Sequence, residues 1–164
     1  MAAGNTYTPL ATTTLASAAS SYTFSSISGS YTDLVLVAAV QNTANTGDEV
    51  AFQVNGDTTT NYSRTRLYGN GSTAGTSTSS AVTKGALGIN STTDFSVITA
   101  NFQNYSNSTT YKPVISRGSS SGYTSVYASL WRSTSAITSI TILPDSGTTF
   151  TTGSTFTLYG ILAA

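Results

Sequence analysis

The chain predicts an all-β fold: a two-sheet antiparallel β-sandwich, jelly-roll-like, with an extended N-terminal arm. Three observations carry that prediction. Apolar residues recur in short alternating or continuous runs, too short for typical helices. Clusters of Gly, Ser, Thr, Asn and Pro separate those runs at about ten-residue intervals, as turns separate strands. Ten Tyr, six Phe and one Trp, with repeated Val and Ile, supply the side chains that strands favour and disordered chains lack. A length of 164 residues fits one sandwich domain over residues 21–164, preceded by the arm at 1–20.

Taken in order, residues 4–20 (GNTYTPLATTTLASAAS) are small and polar, and Pro9 blocks regular structure. They are expected to run extended outside the core. The first residues carry no basic stretch, and no apolar run approaches the ~18 residues of a membrane span, so neither a signal peptide nor a transmembrane helix is expected, and synthesis is expected in the cytoplasm. Residues 21–25 (SYTFS) form a short strand. Residues 34–40 (LVLVAAV) form the only seven-residue run that is wholly apolar, and with 31–41 they are expected to be the central strand, bounded by turns at 29–30 and 42–47. Leu34, Leu36, Ala38 and Val40 share one face. The other face, with Val35, Val37 and Ala39, is either covered or exposed at modest cost.

Residues 50–54 (VAFQV) place Val50, Phe52 and Val54 inward, and Asn55-Gly56-Asp57 is the strongest turn signal in the chain, because Asn and Gly tolerate positive φ. A strand follows at 61–68. The low-complexity stretch 69–80 (GNGSTAGTSTSS) is expected to be a flexible loop or corner. Short edge strands are expected at 86–89 and at 113–117, the latter because it begins at a proline. Longer strands are expected at 95–105, with Ile98, Ala100 and Phe102 on one face, and at 123–131, with Val126 and Leu130 inward. Strands at 137–143 and 155–162 complete the set, eight to ten in all. That count favours a jelly roll over an immunoglobulin-like sandwich, which usually needs only about 100 residues. No internal repeat suggests a propeller or solenoid.

Composition then bounds function. Charged residues make up 7% of the chain with a net charge of zero, and Ser and Thr together exceed a third. The surface is therefore hydroxyl and amide, with no electrostatic footprint for nucleic acid or an acidic membrane. There is no His and no Cys, which removes the commonest general base, the strongest nucleophile, disulfides and thiolate metal sites. Asp48-Glu49 and Asp57 are the acids that a glycosidase or a Ca²⁺ site would need clustered, but consecutive strand residues face opposite ways and Asn-Gly-Asp is turn chemistry. Ser with Lys84 or Lys112 has no spacing that selects a dyad, Gly69-Asn70-Gly71 lacks the strand-to-helix setting of a phosphate loop, and five Asn-X-Ser/Thr triplets are expected by chance. No enzymatic activity, metal or cofactor is expected.

Two constellations are candidates for an interface or ligand face. Tyr123, Tyr127 and Trp131 lie four apart on the face opposite Val126 and Leu130, where such rings serve protein contacts or stack on sugars. With the parity reversed, they are core. Tyr62, Arg64, Arg66 and Tyr68 share one face of their strand, a mix found at contact hot spots or on an ordinary solvated face.

Several segments, TTTLASAASSYTFSSISGSYTDLVLV (12–37), FQVNGDTTTNYS (52–63), TRLYGNGS (65–72) and FTLYGI (156–161), resemble virion proteins of tailed bacteriophages that carry a β-sandwich of this length. The resemblance implies a structural part of the virion, made in the host cytoplasm. The first expectation is a capsid decoration, or cement, protein that sits on the major capsid protein shell as a homo-oligomer, a dimer or trimer. The alternative is a tail or fibre component whose sandwich grips a host glycan or receptor. Neither reading calls for nucleic acid or membrane.

Overall fold

A computed structural model describes residues 6–43 and 48–162. Residues 1–5 of the expected arm, 44–47 of the expected turn and the last two residues lie outside the described residues. The described chain forms twelve strands: β1 (Tyr7–Thr14), β2 (Tyr22–Phe24), β3 (Asp33–Val40), β4 (Glu49–Val54), β5 (Tyr62–Gly69), β6 (Ala74–Val82), β7 (Gly85–Ile89), β8 (Ser96–Phe102), β9 (Lys112–Ser119), β10 (Thr124–Trp131), β11 (Ile140–Pro144) and β12 (Thr155–Ile161). They make an eight-stranded sheet in the order β1-β12-β3-β8-β9-β10-β5-β6 and a four-stranded sheet in the order β2-β11-β4-β7. Every pairing is antiparallel.

The topology resolves into a jelly roll with two insertions. Setting aside the hairpins β5–β6 and β9–β10 leaves β1 beside β12, β2 beside β11, β3 beside β8 and β4 beside β7. This is one long hairpin rolled into two four-stranded sheets. The hairpins extend only the larger sheet, beyond β8, and curl over β7. An immunoglobulin-like arrangement is excluded by this order.

Hydrophobic alternation explains most of the core. Leu34, Leu36 and Val40 on β3, Phe52 on β4, Ile98 and Phe102 on β8 and Phe156 on β12 are fully buried. They form one cluster between the sheets. Phe52 meets Tyr62 and Phe102 edge to face at 6.0 and 5.3 Å, a favoured ring geometry. The expected turn at Asn55-Gly56 is present with φ of 53° and 67°, closed by the Asp57 N–H donating to the Val54 carbonyl at 2.9 Å. Val35, on the opposite face of β3, is also buried between its cross-strand neighbours Tyr159 and Asn101. Val37, two residues on, is exposed.

Three expectations are corrected. Residues 7–14 of the expected arm are not outside the sandwich: they pair with β12 of their own sheet, and Leu10 and Leu15 pack on the core. Pro9 is tolerated because this is an edge strand, and the register shifts between Pro9 and Ala11. The stretch 69–80 is mostly strand β6 rather than flexible loop, its turn held by Asn70 Oδ1 accepting from the N–H groups of Ser72 and Thr73. Strand β9 is central, not an edge, lying between β8 and β10. Pro113 fits there because its carbonyl, and so its missing N–H, faces the turn after β8, where Gln103 N–H reaches the Pro113 carbonyl at 3.2 Å.

Candidate interaction face

The two constellations singled out in the sequence both point inward. On β10 the parity is the reverse of the expected one: Tyr127 and Trp131 are buried, whereas Val126 is 44% exposed. Packing over β7 explains this. That strand reads GALGI, and its small residues let β10 approach closely enough for Ser129 Oγ to donate to the Ala86 carbonyl and accept from the Ala86 N–H, both at 3.1 Å. Serine and ring therefore alternate inward, the rings filling the space beside β7. Tyr127 packs with Ala86 and Ile89, and half-buried Tyr123 lies against that cluster. Trp131 Nε1 donates to Asp57 Oδ2 at 2.7 Å.

Tyr62 on β5 is likewise core. Its hydroxyl accepts from Val54 N–H and donates to the Asp57 carbonyl, each at 3.0 Å, and burial pushes its pKa up to about 12. Arg64 and Arg66 reach under the large sheet to the small one. Arg64 pairs with Glu49 at 2.8 Å and Asp145 at 3.2 Å, Arg66 pairs with Glu49 at 2.9 Å, and Lys84 pairs with Asp145 at 3.0 Å. Tyr127 adds a hydrogen bond to Glu49 Oε1 at 3.1 Å. Burial first, and the Glu49 charge second, hold the Tyr127 hydroxyl far above the ordinary tyrosine range. The Arg66 guanidinium sits 4.5 Å over the half-buried Tyr68 ring, a cation–π contact. This network ties the inserted hairpin β5–β6 to the start of β4 and to the turn that follows β11. Tyr62, Arg64, Arg66, Tyr127 and Trp131 thus fasten the two sheets together, with half-buried Tyr68 and Tyr123 packed beside Tyr127.

The other chemistry-bearing side chains have structural partners. Lys112 is buried, its ammonium donating to the carbonyls of Thr110 at 2.6 Å and Thr134 at 3.1 Å, and burial lowers its pKa. Asp48 accepts from Asn42 Nδ2 and Ser146. Asp57 accepts from Thr59, Asn61 and Trp131. Partial burial pushes the Asp57 carboxyl up, and those bonds together hold it well below the usual carboxylate range. Among the described residues no group of three or more His, Cys, Asp or Glu is placed to hold a metal.

What the structure offers to solvent is the outer face of the eight-stranded sheet. Leu67, Val126, Arg117, Thr99 and Val37 stand side by side in one cross-strand row from β5 to β3. Val97 and Ile115 lie in the neighbouring rows. Leu67 is 58% exposed and Val97 53%, with Val126, Ile115 and Val37 close behind. Ser and Thr fill most places between them, and Arg117 makes no ion pair among the described residues. Two shallow grooves on this face meet at Thr124, one beside Leu67 and Val126, the other beside Val97 and Arg117. An apolar patch spread over several strands is more than the scattered exposed side chains of an ordinary surface.

Sequence reasoning missed this face at Leu67, Val97, Ile115 and Val126. A signal was present in SVYASLW, where two large rings with polar tips alternate with serines that fit against a close, small-residue neighbour. Compared with protein-family models, curated proteins and solved structures, the chain matches none.

Proposed function

We propose that the chain is a structural protein of a tailed-bacteriophage virion, a capsid decoration protein that lays the outer face of its eight-stranded sheet on the major capsid protein shell. The observation that carries this reading is that face itself: broad, apolar and hydroxyl-bearing, with the charges of β5 turned inward. Such a surface suits largely apolar packing against a large partner, with an acceptor on that partner facing the exposed Arg117. The segments at 12–37, 52–63, 65–72 and 156–161 add the resemblance to phage virion proteins. The jelly roll is compatible with capsid and lectin roles alike, so the fold does not choose between them. The glycan-binding alternative takes its ring platform from Tyr123, Tyr127 and Trp131, of which Tyr127 and Trp131 are buried and Tyr123 half-buried.

The test is co-sedimentation with undecorated capsids. Wild-type protein is expected to pellet with shells at low and high salt alike, because apolar burial is not screened while exposed charges are, over about 8 Å at physiological ionic strength. Val126→Glu and Leu67→Glu, both on the exposed face, are expected to release it without lowering the melting temperature. Undiminished pelleting of both variants, or release of wild type by salt alone, contradicts the reading.

A further inference from the structure

Each sheet of the sandwich has two edges, and three of the four are guarded. Strand β1 carries Pro9 and a register shift. Strand β2 has three residues. Strand β7 is buried throughout, its backbone at Ala86 met by Ser129. These are the usual ways in which native sheets blunt an edge: proline, bulge, shortness and cover. The fourth edge, β6, has none of them along residues 74–80. It spans nine residues, AGTSTSSAV, with no proline and no charge. Its bulge, at Ala81 with φ of 52°, lies beyond that stretch.

The ladder shows which backbone groups β6 leaves free. In the β5–β6 hairpin, Asn70 N–H donates to the Thr73 carbonyl at 3.0 Å, so Asn70 and Thr73 form a hydrogen-bonded pair. Antiparallel pairs alternate between bonded and non-bonded. With the register Gly69↔Ala74, Tyr68↔Gly75, Leu67↔Thr76, Arg66↔Ser77, Thr65↔Thr78, the odd-numbered residues bond to β5. Ala74, Thr76, Thr78 and Ser80 then direct their N–H and C=O groups away from the sheet.

We propose that a second copy of this chain occupies this edge, β6 against β6 about a two-fold axis, joining two eight-stranded sheets into one continuous sheet. The register that uses every outward group places Thr76 opposite the second copy's Thr78, Ala74 opposite its Ser80, and Ser77 opposite itself. A two-fold contact sets the residue on the axis, here Ser77, against its own copy, and like charges facing each other across a strand pair are unfavourable. An uncharged strand of Ser and Thr avoids that penalty and allows cross-strand hydroxyl pairs. A foreign peptide would gain the same main-chain bonds, but β6 carries no charge to recognise it, and the groove that touches the strand at Ala74, Gly75 and Thr76 lies on the outer face with Leu67 and Val126 rather than along the edge. A pair of single strands buries less than the ~1,200 Å² at the lower bound of stable interfaces, so the dimer is concentration-dependent in solution. This goes beyond the shell-binding reading and stands without it, since the test contains no shell.

The test is sedimentation velocity on the purified full chain, with thermal melting alongside. Wild type is expected to shift from monomer to dimer with rising concentration. Thr76→Pro removes an N–H that the monomer does not use and is expected to stay monomeric at an unchanged melting temperature. Ser77→Lys and Ser77→Glu place an exposed charge opposite itself, so each alone is expected to be monomeric and their mixture to dimerise. Wild type monomeric at every concentration, a persistent dimer in Thr76→Pro, or a mixture of the two Ser77 variants that stays monomeric would each overturn the proposal.

Discussion

Trp131 Nε1 donates to Asp57 Oδ2 at 2.7 Å, joining the last residue of β10 to the turn after β4. A single carboxylate so holds the buried indole and the turn side chains Thr59 and Asn61. Asp57→Ala is expected to cost about 1.5–3 kcal/mol, the range for a hydrogen bond to a charged group. Trp131→Ala, which also empties a core site, is expected to cost about 3–5 kcal/mol. Urea unfolding measures both. Wild-type stability in Trp131→Ala would return that ring to the surface.

The same carboxylate sets a pH dependence. Asp57 and Asp145 both sit below the ordinary carboxylate pKa in the folded state, the first through its hydrogen bonds and the second through Lys84 and Arg64, in each case against the upward push of burial. A depressed folded pKa means that the stabilisation is fully present above the unfolded value of about 3.9 and is lost as the pH falls through the folded value. Stability is therefore expected to be flat from pH 7 to 5 and to fall in more acidic solution. Asp57→Asn is expected to flatten that fall, as melting temperatures across the acid range will show.

Glu49 receives both Arg64 and Arg66. Glu49→Ala leaves two partly buried guanidinium groups with fewer partners, and breaking a pair is costlier than never having made it. Because these side chains keep about a fifth of their surface, the expected loss is about 1–3 kcal/mol rather than the larger figure for a fully buried pair. Arg64→Met with Arg66→Met in the same background is expected to recover part of it, measured by denaturant unfolding.

Side-chain parity in the core gives a further contrast. Leu36 is fully buried and Val126 is exposed, so Leu36→Ala is expected to cost about 2–5 kcal/mol and Val126→Ala about 0.5 kcal/mol or less. Equal losses would contradict the assigned faces of β3 and β10.

Much of the sandwich was legible because its core strands obey simple alternation. In β3, β4 and β8 large apolar residues mark the inner face, and the Asn55-Gly56 turn is written in residues that accept positive φ. The inserted hairpins were harder. Strand β6 has no apolar pattern, since an edge strand with little core beneath it needs none, and its Ser-Thr sequence reads as loop. Strand β10 buries Ser125 and Ser129 and exposes Val126, because the hydrogen-bonded approach to β7, not hydrophobicity, chose its inner face. The arm departs from its expectation for a related reason: β1 is half-exposed, so its alternation is muted.

The proposed place on the particle is read most directly from a density map of the virion with this chain labelled. The predicted result is label repeated with the capsid lattice, each sandwich lying with Val126, Leu67 and Val97 toward the shell. Label confined to the tail or its fibres, or absent from the particle, would contradict it.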